Sequence, residues 1–119
     1  MADYRPHRKL DVWHKSMELV CEVYKATSDF PKIEEYGLSS QMRRAAVSVP
    51  SNLAEEAARK GNKEFKQFLN IAQGSLSELD TQVELFHMLG YMASEKNREL
   101  MSKIIEISKM LFGLANALK

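Results

Sequence analysis

One pair of side chains in this sequence has the spacing of half a metal site. Glu84 and His87 lie three residues apart, and in helical bundles a Glu-x-x-His pair supplies part of a di-iron carboxylate centre. Such a centre needs a second pair of the same kind, but the other two histidines, His7 and His14, do not follow a glutamate by three residues. The sequence therefore predicts no metal site and no cofactor.

Nucleophilic catalysis has no better support. The single cysteine, Cys21, excludes an internal disulfide, and no histidine and carboxylate are signalled as its partners or as partners of a serine. No glycine-rich loop is present to bind a phosphate group. We therefore expect no catalytic residues and no enzymatic activity. Cys21 lies among apolar residues at helical spacing, which predicts a thiol packed in the core or at an interface.

Basic side chains are the other candidates for chemistry, because a nucleic-acid backbone is bound by several cations on one accessible face. They form three groups: Arg5, Arg8 and Lys9 in the lead-in, Arg43 and Arg44 in the second helical pattern, and Arg59, Lys60, Lys63 and Lys66 around a turn. The lead-in is less diluted by acidic residues, so a mobile basic arm that contacts RNA is one interpretation, and a solvated terminus is the other. All three groups are candidate nucleic-acid-binding residues.

Structural ion pairs are the alternative for these cations. Seventeen Lys and Arg against sixteen Asp and Glu give a net charge of +1, so nucleic-acid binding must rest on a local patch. Arg43 or Arg44 can instead pair with Glu78 or Glu84 of the following helix. Around the turn, three carboxylates would cancel most of the positive charge: Glu55, Glu56 and Glu64.

The composition is that of an ordinary globular domain, with 45% hydrophobic and 28% charged residues. Only 5 glycines and 3 prolines interrupt 119 residues, which favours a few long elements in a single domain, residues 1–119. The charged N-terminal stretch lacks the apolar core of a signal peptide, and no apolar run approaches the roughly 18 residues of a membrane span. We therefore expect a cytoplasmic protein.

Apolar residues recur at alternating steps of three and four, which predicts four amphipathic helices over about residues 10–28, 38–60, 62–89 and 94–118. In the first helix the predicted core seam is Leu10, Trp13, Met17, Val20, Tyr24 and Thr27, and three residues widen it: Val12, Leu19 and Val23. The third helix has its seam at Phe65, Leu69, Ala72, Leu76, Leu79, Val83 and Phe86. The first and third helices carry surplus apolar residues, which are typical of an oligomer interface, with a wider core-facing stripe as the alternative.

Four helices joined by short connections predict an all-α fold, an antiparallel up-down-up-down four-helix bundle. Pro50 interrupts the second helical pattern, since a proline inside a helix removes one hydrogen bond and clashes with the preceding turn. Apolar residues continue in phase on both sides of it, so we favour a helix kinked at Pro50 over a break at residues 48–51. Gly90 and Tyr91 predict the end of the third helix.

Three stretches of the sequence resemble a known family. They are LDVWHKSMELVCEVYKAT, FPKIEEYGLSSQMRRAAVSVPSNLAEE and KEFKQFLNIAQGSLSELDTQVELFHMLGY, which together cover most of residues 10–91 in order. In these stretches the chain resembles the bacterial 23S rRNA intervening-sequence proteins, which are encoded inside insertions in large-subunit ribosomal RNA genes or stand alone in the genome. The resemblance implies a helical bundle without enzymatic activity.

The resemblance also implies partners. Similar accessory proteins of diversity-generating retroelements form a pentameric ring and bind nucleic acid and a reverse transcriptase. The resemblance therefore implies a homo-oligomer, a pentamer, that acts as a scaffold associated with RNA or a ribonucleoprotein. A protein–protein interaction module with no nucleic-acid role is the alternative.

The sequence departs from the family pattern at one corner. The family commonly has glycine, any residue, glycine and arginine after its Ala-Glu pair. Here Ala54 and Glu55 are followed by Glu56, Ala57, Ala58 and Arg59. We therefore expect a firmer end of the second helix, and a family role that depends on flexibility at this corner does not carry over.

Overall fold

A computed structural model describes residues 5–28, 37–57 and 62–117 of the chain. A short 3-10 helix, Pro6–Lys9, precedes four α-helices: α1 Asp11–Ala26, α2 Leu38–Ala57, α3 Asn62–Met88 and α4 Ser94–Ala117. The helices begin within one residue of the predicted positions, and α1 and α3 end slightly earlier than predicted. The predicted ends of the second and fourth helices, at residues 60 and 118, lie outside the described residues.

The helices form a bundle in which each one packs against two others. α1 contacts α2 and α4, and α3 contacts the same two helices. Within the described residues, α1 makes no contact with α3, and α2 makes none with α4. These residues contain no β-strand, so the predicted all-α fold is confirmed. None of the described helices combines the length and apolar composition needed to cross a membrane.

One apolar side of each helix forms the core. The largest fully buried side chains come from all four helices: Leu19, Met42, Leu53, Leu69, Leu76, Leu79, Phe86, Leu100, Ile107 and Leu111. Each such side chain contributes about 1.5–3 kcal/mol through its burial. The predicted seam of α3 is confirmed from Leu69 to Phe86, with Phe65 half-buried at its start.

The buried side of α1 differs from the predicted seam. Its core residues are Val12, Ser16, Leu19 and Val23, so the stripe expected to widen the seam is the core itself. The predicted seam residues are half-buried or exposed, except the buried Thr27: Leu10, Trp13, Met17, Val20 and Tyr24. The predicted seam of α1 is therefore wrong for Met17 and Tyr24, which are exposed, whereas Leu10, Trp13 and Val20 pack against the edge of the core. Ser16 can be buried because its hydroxyl donates to the Trp13 carbonyl oxygen at 2.8 Å, within the same helix.

α2 continues through Pro50, so the alternative of a break at residues 48–51 is wrong. Asn52 Nδ2 donates to the Ser48 carbonyl oxygen at 2.8 Å and contacts the Ser48 hydroxyl at 3.0 Å. An asparagine side chain thus adds hydrogen bonds in the part of the helix that the proline weakens. A kink at Pro50 stays a prediction.

α2 and α3 approach closely where both carry small residues. The Ser48 and Ser75 hydroxyl groups share a hydrogen bond of 2.8 Å, and buried alanines lie on both helices. Only residues 58–61 separate the two helices, so the end of α2 and the start of α3 lie at the same end of the bundle. This is the order expected of antiparallel neighbours.

Ion pairs join α1 and α4 along their shared side. Lys15 Nζ lies 3.6 Å from Glu106 Oε1, and Lys96 Nζ donates to Glu22 Oε2 at 2.7 Å. The bond from Lys96 holds the pKa of Glu22 below its ordinary value, and the same bond raises the pKa of Lys96. The later residue of α1 meets the earlier residue of α4, which again is the order expected of antiparallel neighbours.

The end of α3 is a Schellman motif, in agreement with the predicted helix end. Gly90 has a φ of 82°, and its N–H donates to the His87 carbonyl oxygen at 3.0 Å. The Tyr91 N–H donates to the Phe86 carbonyl oxygen at 3.0 Å, and the two aromatic rings meet edge to face at 5.6 Å. The chain thus turns sharply into the short connection to α4.

Candidate nucleic-acid interface

Two of the predicted basic groups lie at the same end of the bundle. Trp13, in the first turn of α1, and Ala54, in the last turn of α2, line one groove, and the 3-10 helix contacts both helices. α3 begins at this end as well, because residues 58–61 connect it to α2. We call the described cations of this region the basic end: Arg5, Arg8, Lys9, Lys63 and Lys66.

Trp13 anchors the lead-in at the basic end. The Arg8 guanidinium carbon lies 5.4 Å from the centre of the Trp13 ring, and the His7 ring meets the indole edge to face at 4.9 Å. His14 Nε2 donates to the Arg8 carbonyl oxygen at 2.7 Å. The interpretation as a mobile arm is therefore wrong for residues 5–9, which fold against α1 and α2. Trp13 is half-buried: it packs against the edge of the core and also contacts the Arg8 guanidinium.

Fewer carboxylates face solvent at the basic end than the sequence suggests. Glu56 is only 1% exposed, so its side chain is removed from the surface. Glu55 and Glu64 remain exposed there, beside the exposed Lys63 and the half-buried Lys66. The predicted residues Arg59 and Lys60, and the firmer corner expected around them, lie outside the described residues.

Arg43 lies near the opposite end of the bundle and is held by α1. Its Nε donates to the Thr27 hydroxyl oxygen at 2.8 Å, and its guanidinium carbon lies 4.5 Å from the centre of the Tyr24 ring. The Thr27 hydroxyl in turn donates to the Val23 carbonyl oxygen at 2.8 Å. The guanidinium is thus fixed in position and remains partly accessible.

The predicted alternative for the arginines, a pair with a carboxylate of α3, is wrong for the described residues. No described carboxylate lies in ion-pair distance of Arg43 or Arg44, and Arg44 is exposed. Glu78 instead accepts a hydrogen bond from Gln82 Nε2 at 3.1 Å, within α3. Arg43 and Arg44, which we call the arginine pair, therefore form a second cationic position that is separate from the basic end.

An apolar groove runs between the two cationic positions, along the outer side of α1 and α2. Its lining residues are Trp13, Met17, Val20, Val47, Pro50, Ser51 and Ala54, around a space of about 370 Å³. Met17 and Tyr24 are more than 40% exposed, although both were expected in the core. Cys21 is exposed too, so its expected place in the core is wrong, whereas a place at an interface stays a prediction.

Glu84 and His87 lie in different surroundings in the described structure. His87 Nε2 shares a hydrogen bond of 3.1 Å with the Ser94 hydroxyl, and Glu84 is exposed on α3. Residues 5–28, 37–57 and 62–117 contain no group of three or more His, Cys, Asp or Glu side chains placed to hold a metal ion. The two side chains are better explained as a helix-end contact and a solvated carboxylate.

Comparison with known proteins agrees with this architecture. The model of the 23S rRNA-intervening sequence protein family matches residues 8–113. The chain belongs to this family. A crystal structure of a protein of unknown function from the S23 ribosomal protein family, from Bacteroides thetaiotaomicron, has 24% sequence identity and a TM-score of 0.81.

The match to the Bacteroides structure covers 88% of this chain and 95% of that one. At this identity the likeness shows the fold alone, and no curated protein matches the chain. The chain thus shares the fold of the Bacteroides protein. The function of this chain has to be argued from the surfaces described above.

Proposed function

We propose that this protein is a non-enzymatic, self-associating helical scaffold that binds structured RNA, alone or in a ribonucleoprotein. The observation that carries the proposal is the basic end: the lead-in packs against α1 and α2, and α3 begins after the short connection from α2, so cations from separate parts of the sequence lie at the same end of the bundle. A phosphate backbone needs this kind of local cluster, since the net charge of +1 provides no general attraction.

The cations of the basic end are suited to contacts with a phosphate backbone. Arg8 is held against the Trp13 ring, which leaves that ring partly covered, while Lys9 and Lys63 are exposed. Lysine and arginine contacts to phosphate fix position and carry little sequence information. We therefore expect recognition of RNA shape and charge more than of sequence.

Self-association supports the RNA proposal physically. One copy offers few exposed cations, but several linked copies would bind one RNA through many weak contacts at once. The exposed apolar groove along α1 and α2 is a surface of the kind that oligomers bury. A homo-oligomer is therefore part of the proposal, and five subunits, the number implied by resemblance, stay a prediction.

Light scattering of the purified protein, with and without a structured RNA, tests the proposal. We expect an oligomer whose mass increases with RNA at low salt and increases less at higher salt, because phosphate binding releases counterions. The double variant Lys9→Ala/Lys63→Ala should bind the RNA about tenfold more weakly, with a smaller salt dependence. Lys25→Ala/Lys103→Ala removes the same charge elsewhere and should bind as the unmodified protein does.

The apolar groove also favours a second candidate, a protein–protein interaction module without a nucleic-acid role. The same measurement separates the two. An oligomer whose mass does not change with RNA at any salt concentration would overturn the RNA proposal and leave the interaction module. Equal losses of RNA binding in both double variants would remove the assignment to the basic end.

A further inference from the structure

Exposed apolar side chains lie on two opposite sides of the bundle. Because α1 and α3 each pack against α2 and α4 but not against each other, the side formed by α1 and α2 is opposite the side formed by α3 and α4. The first side carries the apolar groove. The second carries a ridge made by two side chains of α4 that are seven residues apart, Ile105 and Phe112, with Phe112 61% exposed.

The ridge has a fixed shape where α4 meets α3. Gln73 Nε2 donates to the Ser108 carbonyl oxygen at 3.0 Å, and the Ser108 hydroxyl donates to Gln73 Oε1 at 3.1 Å. These reciprocal bonds lie between Ile105 and Phe112 along α4 and hold the two helices together there. A depression of about 270 Å³ lies beside the two apolar side chains, and Asp80 is at its rim.

The apolar residues of the two sides lie at the same positions along the long axis of the bundle. Ser48 lies beside Ser75, and Gln73 lies beside Ser108, which fixes how far α2, α3 and α4 are shifted against one another. Counting outward from these contacts along antiparallel helices gives three pairs at equal height: Ile105 with Val47, Phe112 with Ala54, and Asp80 with Arg43. Apolar residues of one side are thus level with apolar residues of the other, and a carboxylate is level with the arginine pair.

We propose that the apolar groove of one copy receives the Ile105 and Phe112 ridge of a second copy, with the helices side by side. In this contact α1 of one copy lies beside α4 of the next, and α2 lies beside α3. The exposed carboxylate of Asp80 then faces the arginine pair of the neighbour. The proposal rests on the self-association proposed above and assigns the surfaces that meet.

Such a contact uses two different surfaces, so it repeats from copy to copy and closes into a ring when the rotation between neighbours allows it. With overall dimensions of 44 × 28 × 21 Å, one long side of the bundle is comparable to the roughly 800 Å² per partner of a standard interface. Neighbours related by an axis along the bundle would present their basic ends on the same rim. The arginine pair, by contrast, lies in the contact between neighbouring copies.

The single natural cysteine allows a direct test. Cys21 is exposed beside the groove on α1, and the bond between Glu22 and Lys96 places it level with the start of α4, where Arg98 is exposed. A tagged copy with Cys21 is mixed with an untagged Cys21→Ser/Arg98→Cys copy and treated with a short bis-maleimide. We expect mixed cross-linked dimers, and no cross-linked dimers from either copy alone.

The control for position is Cys21→Ser/Glu99→Cys, since Glu99 lies 3.6 Å from Lys96, which in turn bonds to Glu22 of α1 in the same copy. It should give little mixed product. Dimers cross-linked through two Cys21 thiols would mean that two grooves face each other, which would overturn the proposal. Equal products from the Arg98 and Glu99 positions would overturn it as well.

A second variant measures the contribution of the ridge. Phe112→Asp should dissociate the oligomer, with a rise in the dissociation constant of more than about a hundredfold, as for an aromatic residue at the centre of an interface. Leu89→Asp changes a leucine that is equally exposed but lies at the end of α3, and it should leave the mass unchanged. Circular dichroism checks that both variants remain folded.

These outcomes separate this proposal from the proposed function. An oligomer that lacks the mixed cross-link, or that persists in Phe112→Asp, overturns the assignment of surfaces but leaves the RNA scaffold standing. A protein that is monomeric at all concentrations tested overturns both the assignment and the self-association on which it rests.

Discussion

Arg43 and Tyr24 connect the start of α2 to the end of α1 through a cation–π contact. The guanidinium carbon lies 4.5 Å from the ring centre, and Arg43 Nε also donates to the Thr27 hydroxyl oxygen. A planar guanidinium can make both contacts at once, whereas a lysine ammonium cannot. The neighbouring Arg44 is exposed and makes no such contact with the described residues.

Arg43→Lys should therefore destabilise the protein although it keeps the charge. We expect a loss of about 1 kcal/mol in the free energy of unfolding, the combined size of a partly exposed cation–π contact and one hydrogen bond. Arg44→Lys is the matched control and should change it by less than about 0.5 kcal/mol. Urea unfolding of both variants measures this. Similar losses in the two variants would contradict a specific role for Arg43.

The corrected core side of α1 predicts different effects for two neighbouring positions. Leu19 is fully buried and Met17 is 42% exposed, although Met17 belongs to the seam expected from the sequence. Leu19→Ala should cost about 2–5 kcal/mol, and Met17→Ala less than about 1 kcal/mol in the monomer. Urea unfolding at low protein concentration separates stability from self-association. A larger loss in the free energy of unfolding for Met17→Ala than for Leu19→Ala would support the seam predicted from the sequence.

The ion pair between Glu22 and Lys96 predicts a dependence of stability on pH. The lowered pKa of Glu22 means that the pair stabilises the fold above the ordinary glutamate value, and that this contribution is lost as pH falls through the lowered pKa. The raised pKa of Lys96 means that the contribution is lost at the alkaline end only as pH rises through that raised value.

Lys96→Met should thus lower the free energy of unfolding by about 1 kcal/mol near neutral pH, since both charges are partly exposed. The difference from the unmodified protein should shrink as Glu22 is protonated in acid. Lys25→Met serves as the control, because Lys25 also approaches Glu22 but at 3.9 Å and with a 74% exposed side chain. A difference that stays constant down to acid pH would show that lost packing, and not charge, causes the effect.

Substitution of alanine for Gly90 and for Gly74 should change the free energy of unfolding in opposite directions. Gly90 has a φ of 82°, which an alanine adopts only at a cost, so Gly90→Ala should destabilise by about 1–2 kcal/mol. Gly74 lies inside α3, and an added Cβ would meet no atom within 4 Å. Gly74→Ala should therefore stabilise by up to about 1 kcal/mol, since alanine favours the helix. Thermal unfolding compares the two, and a stabilising Gly90→Ala would argue against the Schellman motif.

The sequence predicted where the four described helices begin to within one residue, because each carries a sustained apolar period. It failed for the core side of α1, where two apolar stripes overlap. The stripe with the larger residues, Trp13 and Tyr24, looked more apolar than the stripe that contains Ser16. The Ser16 hydroxyl donates a hydrogen bond to the Trp13 carbonyl oxygen of the same helix, and this bond permits the burial of Ser16. The spacing of apolar residues carries no information about such a bond.

The candidate site was predictable only in part. The predicted alternation of helix directions places the lead-in and the start of α3 at one end of the bundle. The contact between Arg8 and Trp13 joins residues only five apart in the sequence. The contact between Tyr24 and Arg43 joins two helices and leaves no local pattern in the sequence, so three-dimensional packing was needed to find it.

The cyclic order of the helices has a consequence for how the chain folds. Three of the four helix pairings in the described structure join consecutive helices, and one, between α1 and α4, joins elements at opposite ends of the described chain. Local pairings close short loops and form quickly, whereas a distant pairing carries a larger entropic cost. We therefore expect rapid hairpin formation followed by docking of α1 on α4. On this expectation, the ion pairs between α1 and α4 form in the last step of folding.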